Sequence, residues 1–96
     1  NMALLLLETG QLDDALTFAN RSFQTHVSLL GPEHIDTSYC HRTLGKIFAE
    51  MGMLDKAIEH FELSLAIRIQ MLGEHHALTQ ETRSELEKVT KAKSVD

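Results

Sequence analysis

The sequence predicts an all-α fold, a right-handed superhelix of antiparallel helix hairpins with about five helices. Three observations carry this. First, residues 42 apart match: Gly10 with Gly52, Leu12 with Leu54, Asp13 with Asp55, Ala15 with Ala57, Ser22 with Ser64, Leu30 with Leu72, Gly31 with Gly73, His34 with His76 and Thr37 with Thr79. Second, the apolar residues of the two copies share one helical spacing. Leu12, Ala15, Leu16, Ala19, Phe23, Val27 and Leu30 step exactly as Leu54, Ala57, Ile58, Phe61, Leu65, Ile69 and Leu72 do, which makes one stripe of a 3.6-residue helix and not a strand's alternation. Third, glycines punctuate the copies, while one proline and no tryptophan suit helices better than a sandwich of short strands.

The elements follow in order. Residues 1–9 form a short first helix, truncated relative to its counterpart at 36–51. Gly10 marks a tight turn into a long helix at 12–30. Asp13 and Asp14 sit at its start, where they complement the helix dipole. Gly31 ends this helix and Pro32 prevents its continuation. The helix at 36–51 offers Tyr39, Cys40, Leu44, Ile47, Phe48 and Met51 as its buried positions, and Gly52 turns the chain into a second long helix at 54–72. After Gly73 a polar helix runs over 76–93. It has a thin apolar stripe of Leu78, Leu86, Val89 and Ala92 and reads as the solvating cap of a stack. No hairpin can bury its apolar face alone, so neighbours stack. The whole chain, 1–96, then reads as one domain: a partial repeat at 1–33, a full repeat at 34–75 and the capping helix.

Composition excludes several functions. Nine basic against fourteen acidic side chains leave a net charge of −5, which disfavours binding to nucleic-acid phosphates or to anionic membrane surfaces. The longest apolar run, Met2 to Leu7, is far short of the ~20 residues that span a bilayer. It also lacks the basic flank and cleavage site of a signal peptide, so a cytoplasmic location is expected. A single cysteine, Cys40, gives no internal disulfide.

The chemistry of a catalytic or metal site is not expected. Cys40–His41 and His75–His76 are adjacent pairs, which diverge by about 100° on a helix and do not share an ion readily. His34 and His76 recur with the repeat, which points to packing or capping at the junction. Cys40 reads as a buried structural residue, and the five glycines are spread along the chain, so none forms a phosphate loop. No catalytic residue, metal ligand or cofactor is assigned.

The run Leu44, Gly45, Phe48, Gly52, Ala57, Phe61, Ser64 resembles the tetratricopeptide repeat pattern. The 42-residue period, the repeated Leu-Gly-x-x-His junction and the segment Leu65-Ala66-Ile67-Arg68 are similar to the long-repeat subtype of kinesin light chains. The chain departs from that subtype where Ile35 and Ala77 follow the junction histidines in place of proline. It departs again where Arg42-Thr43 and Ser84-Glu85 precede the leucines in place of asparagine. The resemblance implies close helix crossing at Gly45 and Ala57. It further implies that the first helix of each pair lines a concave face. On this chain that face carries Tyr39, Arg42, Thr43, Lys46 and Glu50, then Glu81, Ser84, Glu85 and Lys88, with Leu4, Leu7 and Glu8 at the front. Arg42 and Lys46 are one turn apart and are expected to meet an acidic group of a ligand.

The function so implied is non-catalytic: an adaptor or scaffold module that binds a peptide or helix of a protein partner. Met2, Leu4, Leu5 and Leu7 surround the first helix with apolar groups, which suggests contact with an upstream repeat or a second copy of the chain. Two alternatives stand beside the adaptor reading. One is a self-assembly segment of a larger protein; the other is a helical accessory region of an enzyme whose catalytic domain lies outside this chain.

Overall fold

The structure, a computed structural model, describes residues 2–94, and every regular element among them is a helix. α1 spans Met2–Glu8, α2 Leu12–Leu30, α3 Ile35–Glu50, α4 Leu54–Leu72 and α5 Ala77–Ser94. α2 and α4 have the ends the repeat predicts. α3 begins and ends one residue earlier than predicted, and α5 one residue later. The starts have a cause in the junction histidines. His34 has extended backbone at φ −73° and ψ 147°, and its Nδ1 accepts the Asp36 N–H at 3.0 Å. His76 Nδ1 accepts the Leu78 N–H at 3.1 Å. Each imidazole satisfies one of the donors that open a helix, so the helix begins on the next residue.

Gly31 and Gly73 close α2 and α4 with φ of 96° and 88° and ψ of 163° in both. That region is essentially restricted to glycine. With Gly10 and Gly52, which also have positive φ, they recur at equal intervals of 21 residues. The chain therefore turns at regular rungs. Each helix packs on the one before it, and α1 also touches α3.

The core lies around α3. Leu44 and Ile47 are buried with Ala15, Ala19, Ala57, Phe61 and Val89. Gly45 faces Phe61: a Cβ at Gly45 would stand 3.0 Å from three carbons of that ring. The close approach expected at Gly45 is made against Phe61, and Ala57 is fully buried.

Three core expectations change. Tyr39 is 43% exposed, and Leu30 is exposed as well. On α4 the buried set includes Ser64, Ile67 and Arg68, which lie off the apolar stripe. α4 is packed by α3 on one side and α5 on the other, so its buried arc is wider than one stripe. On α5, Thr79, Thr82 and Val89 are buried while Ala92 is exposed. The threonines face Arg68, which gives their hydroxyls polar partners.

Candidate functional site: a groove, a clasp and a cavity

α1, α3 and α5 converge on one groove of about 370 Å³. Leu7 comes from α1. Lys46, Ala49 and Glu50 come from α3, Glu85, Lys88 and Val89 from α5, and Phe61 of α4 reaches in from below. The lining alternates two ammonium groups and two carboxylates over an apolar floor. Such a surface suits a polypeptide segment with charged and apolar side chains better than a compact small molecule.

Of the residues expected on the concave face, Lys46, Glu50, Glu85, Lys88 and Leu7 line this groove. Arg42 does not. Its Nη2 lies 2.7 Å from Glu81 Oε1 and its Nε donates to Glu85 Oε1 at 2.6 Å. Arg42 and Glu85 are both largely shielded from solvent. The guanidinium thus clasps α3 to α5 and already has its acids, so of the expected pair Arg42 and Lys46 only Lys46 lines the groove. Glu81 is committed to the same clasp. Thr43 is buried and, with Tyr39, lines a second, smaller cavity. Ser84 is exposed on α5, and the Glu8 side chain lies outside those described. Met2 and Leu5 are 52% and 54% exposed. Leu6 and Leu7 pack on the core, so α1 is not apolar toward solvent all round.

The second cavity measures about 130 Å³ and lies between α1, α2 and α3. Cys40 is a free, buried thiol on its wall. Burial pushes the thiol pKa up and nearby Asp36 adds to this, against a hydrogen bond from Ser22. A thiol so placed is a poor nucleophile.

Two further arrangements escaped the sequence. Arg68 is fully buried. Its Nε donates to Ser38 Oγ at 3.2 Å, and its Nη1 donates to Leu78 O at 3.1 Å and Thr82 Oγ1 at 2.6 Å. Its guanidinium carbon lies 4.7 Å from the Tyr39 ring centre. Burial lowers its pKa, and Arg42 lowers it further, while Tyr39, Glu81 and Glu85 oppose them. Arg68 stands in the sequence at the end of the Leu65-Ala66-Ile67-Arg68 segment, and its burial was signalled only by its place on the row Ala57, Phe61, Ser64, Arg68, which steps by helical turns.

The other arrangement is a histidine pair. His41 Nδ1 and His60 Nδ1 are 3.1 Å apart, with Phe23 against His41 and Phe48 stacked on His60. Burial and the His60 charge lower the His41 pKa to about 4. Burial also lowers that of His60, with Lys56 adding to it and Glu59 opposing. Both rings therefore favour the neutral form in the folded chain. Unfolded histidines take up protons near pH 6.5, so the pair costs no stability above that value and a growing amount as the pH drops toward 4, where His41 itself becomes charged in the folded chain. Thermal melts from pH 7.5 to 4 should show this loss, and His41→Leu should reduce its slope. An unchanged slope would place the acid sensitivity elsewhere.

The model of the tetratricopeptide repeat family matches residues 1–70, about three quarters of the chain. The chain belongs to the tetratricopeptide repeat family. No curated protein matches it. Tetratricopeptide repeats generally mediate contacts between proteins and are generally non-catalytic. In this repeat protein the groove is made by α1, α3 and α5, with Phe61 of α4 in its floor.

Proposed function

We propose that this tetratricopeptide repeat chain is a non-catalytic adaptor segment that holds a peptide or helix of a protein partner in the groove between α1, α3 and α5. One observation carries the reading. Three helices separated in sequence supply Leu7, Lys46, Glu50, Glu85 and Lys88 to a single groove floored by Phe61 and Val89. The Arg42 clasp holds α3 and α5 before any partner arrives, which limits the ordering cost of binding. The finer assignments belong to the same proposal: the long 42-residue subtype similar to kinesin light chains, the repeat boundaries at 1–33, 34–75 and 76–93, and a cytoplasmic location.

Peptides selected from a displayed library against the chain supply the test. Lys46→Glu with Lys88→Glu should weaken their binding by about tenfold or more, while the melting temperature stays within a few degrees. Undiminished affinity would remove the groove from the reading.

The exposure of Met2 and Leu5 on α1 favours a second, compatible reading, in which another copy of the chain packs on that helix. Sedimentation over a range of concentrations should then show a dimer that Leu5→Glu dissociates. A monomer at every concentration would end this reading.

A further inference from the structure

His41 on α3 and His60 on α4 direct their Nδ1 atoms at each other across 3.1 Å. Their ring centres are 5.3 Å apart, little more than the nitrogen separation plus the two ring radii. Both nitrogens therefore lie near the line that joins the rings. One of them carries a hydrogen and the other accepts it, but either ring can hold its hydrogen on Nε2 instead. With both hydrogens on Nε2, two lone pairs face each other along one line. Aromatic rings enclose the pair: Phe23 lies 4.9 Å from His41, and Phe48 stacks on His60 at 5.5 Å. Phe23 belongs to α2 and Phe48 to α3, so three helices set the position of the two donors. No third histidine, cysteine or carboxylate joins them in a metal-binding group among the described residues.

We propose that His41 and His60 bind a cuprous ion in line between their Nδ1 atoms. The number of donors selects the ion. Zinc is held by four donors, and magnesium and calcium by six or more oxygens, whereas a d10 ion of single charge is satisfied by two nitrogens in line. Imidazole suits copper as a ligand. Charge points the same way, because a monovalent ion loses less hydration on burial than a divalent one. Lys56, whose Nζ lies 5.5 Å from the centre of the Phe48 ring, penalises each added positive charge, and the exposed Glu59 offsets part of that penalty. The aromatic walls keep water from the metal, which protects the cuprous state from oxidation. Burial keeps both rings neutral, so no proton is released when the ion binds. One hydrogen moves from Nδ1 to Nε2 of the same ring, the hydrogen bond between the rings breaks, and two dative nitrogen–copper bonds form with no electron transferred. Imidazole–metal bonds are about 2 Å long, so the nitrogens must part by about 1 Å from their separation of 3.1 Å. His60 is only half-buried, which gives its ring room to shift and the ion a path from solvent.

The probe is the cuprous ion itself, added without oxygen as its acetonitrile complex to isotope-labelled protein. One equivalent should bind, shift the Nδ1 signals of both histidines in nitrogen NMR and leave a hydrogen on each Nε2. X-ray absorption should find two nitrogen ligands and no sulfur, and the melting temperature should rise with the ion. Cys40→Ser should bind as wild type does. His41→Leu and His60→Leu should each weaken binding by about a hundredfold or more, read by competition with a coloured cuprous chelator. The nitrogen signals are read on the unaltered chain, so the test survives a variant that fails to fold. Unmoved Nδ1 signals would overturn the proposal, as would a sulfur ligand, undiminished affinity in either histidine variant, or equal occupancy by zinc. The Lys46→Glu, Lys88→Glu variant should take up the ion as wild type does, which separates this site from the groove.

Discussion

Arg68→Ala is expected to destabilise the fold by about 3–5 kcal/mol, the largest effect of any single substitution considered. The side chain is fully buried. Truncation opens a cavity at the meeting point of α3, α4 and α5 and removes three donated hydrogen bonds. For a chain of this size, each kcal/mol lowers the melting temperature by roughly 4–8 °C. Arg68→Met separates volume from charge. Two of the groups that lose Arg68 have partners within their own helices: Ser38 Oγ donates to Ile35 O at 2.5 Å, and Thr82 Oγ1 donates to Leu78 O at 3.0 Å. They are not left without hydrogen bonds, and a buried cation also carries a desolvation cost that methionine avoids. The methionine variant should therefore recover more than half of the loss in urea unfolding. A methionine variant as unstable as the alanine variant would show that the guanidinium's hydrogen bonds, not its bulk, hold the junction.

Gly45→Leu should cost about 3 kcal/mol, at the upper end of overpacking effects. A Cβ there already stands 3.0 Å from Cδ1, Cε1 and Cε2 of Phe61, and Phe61, 2% exposed, has little room to retreat. Gly45→Ala tests the same contact more gently. Its clash is offset by about 1 kcal/mol of improved helix propensity, so the net change should be small. The decisive measurement is a double-mutant cycle with Phe61→Ala. That change makes room, so Gly45→Leu should cost clearly less in its presence. Additive losses would show that Gly45 is pressed by something other than Phe61.

What the sequence made legible was whatever repeats. The ends of α2 and α4 follow from glycines and apolar stripes that recur 42 residues apart. Capping by His34 and His76 was signalled by their recurrence, although its geometry was not. What it concealed are departures from the repeat and contacts between helices. Arg68 has His26 as its counterpart, so no recurrence marked it, and a charged residue beside an apolar stripe reads as solvated until a neighbouring helix supplies acceptors. His41 and His60 lie on different helices, and their approach depends on how α3 crosses α4. Arg42 belonged to the concave face by position, but its partners lie on α5, beyond the reach of local spacing. For the same reason the groove was legible as a set of positions, while the division between residues facing a partner and residues holding the helices together was not.

The Arg42 clasp has a mechanical consequence. Its two acids, Glu81 and Glu85, lie in the first half of α5, as does Thr82, which Arg68 holds. The second half of α5 is retained by Val89 in the core and by the exposed ion pair of Lys93 with Asp55. Tension applied to the far end of α5 would first draw Val89 and Leu86 from the core, then meet Arg42 at Glu85, with Arg68 holding Thr82 behind it. The helix is thus anchored like a tab glued at one end, and a pulling force would meet a soft stretch followed by a firm stop.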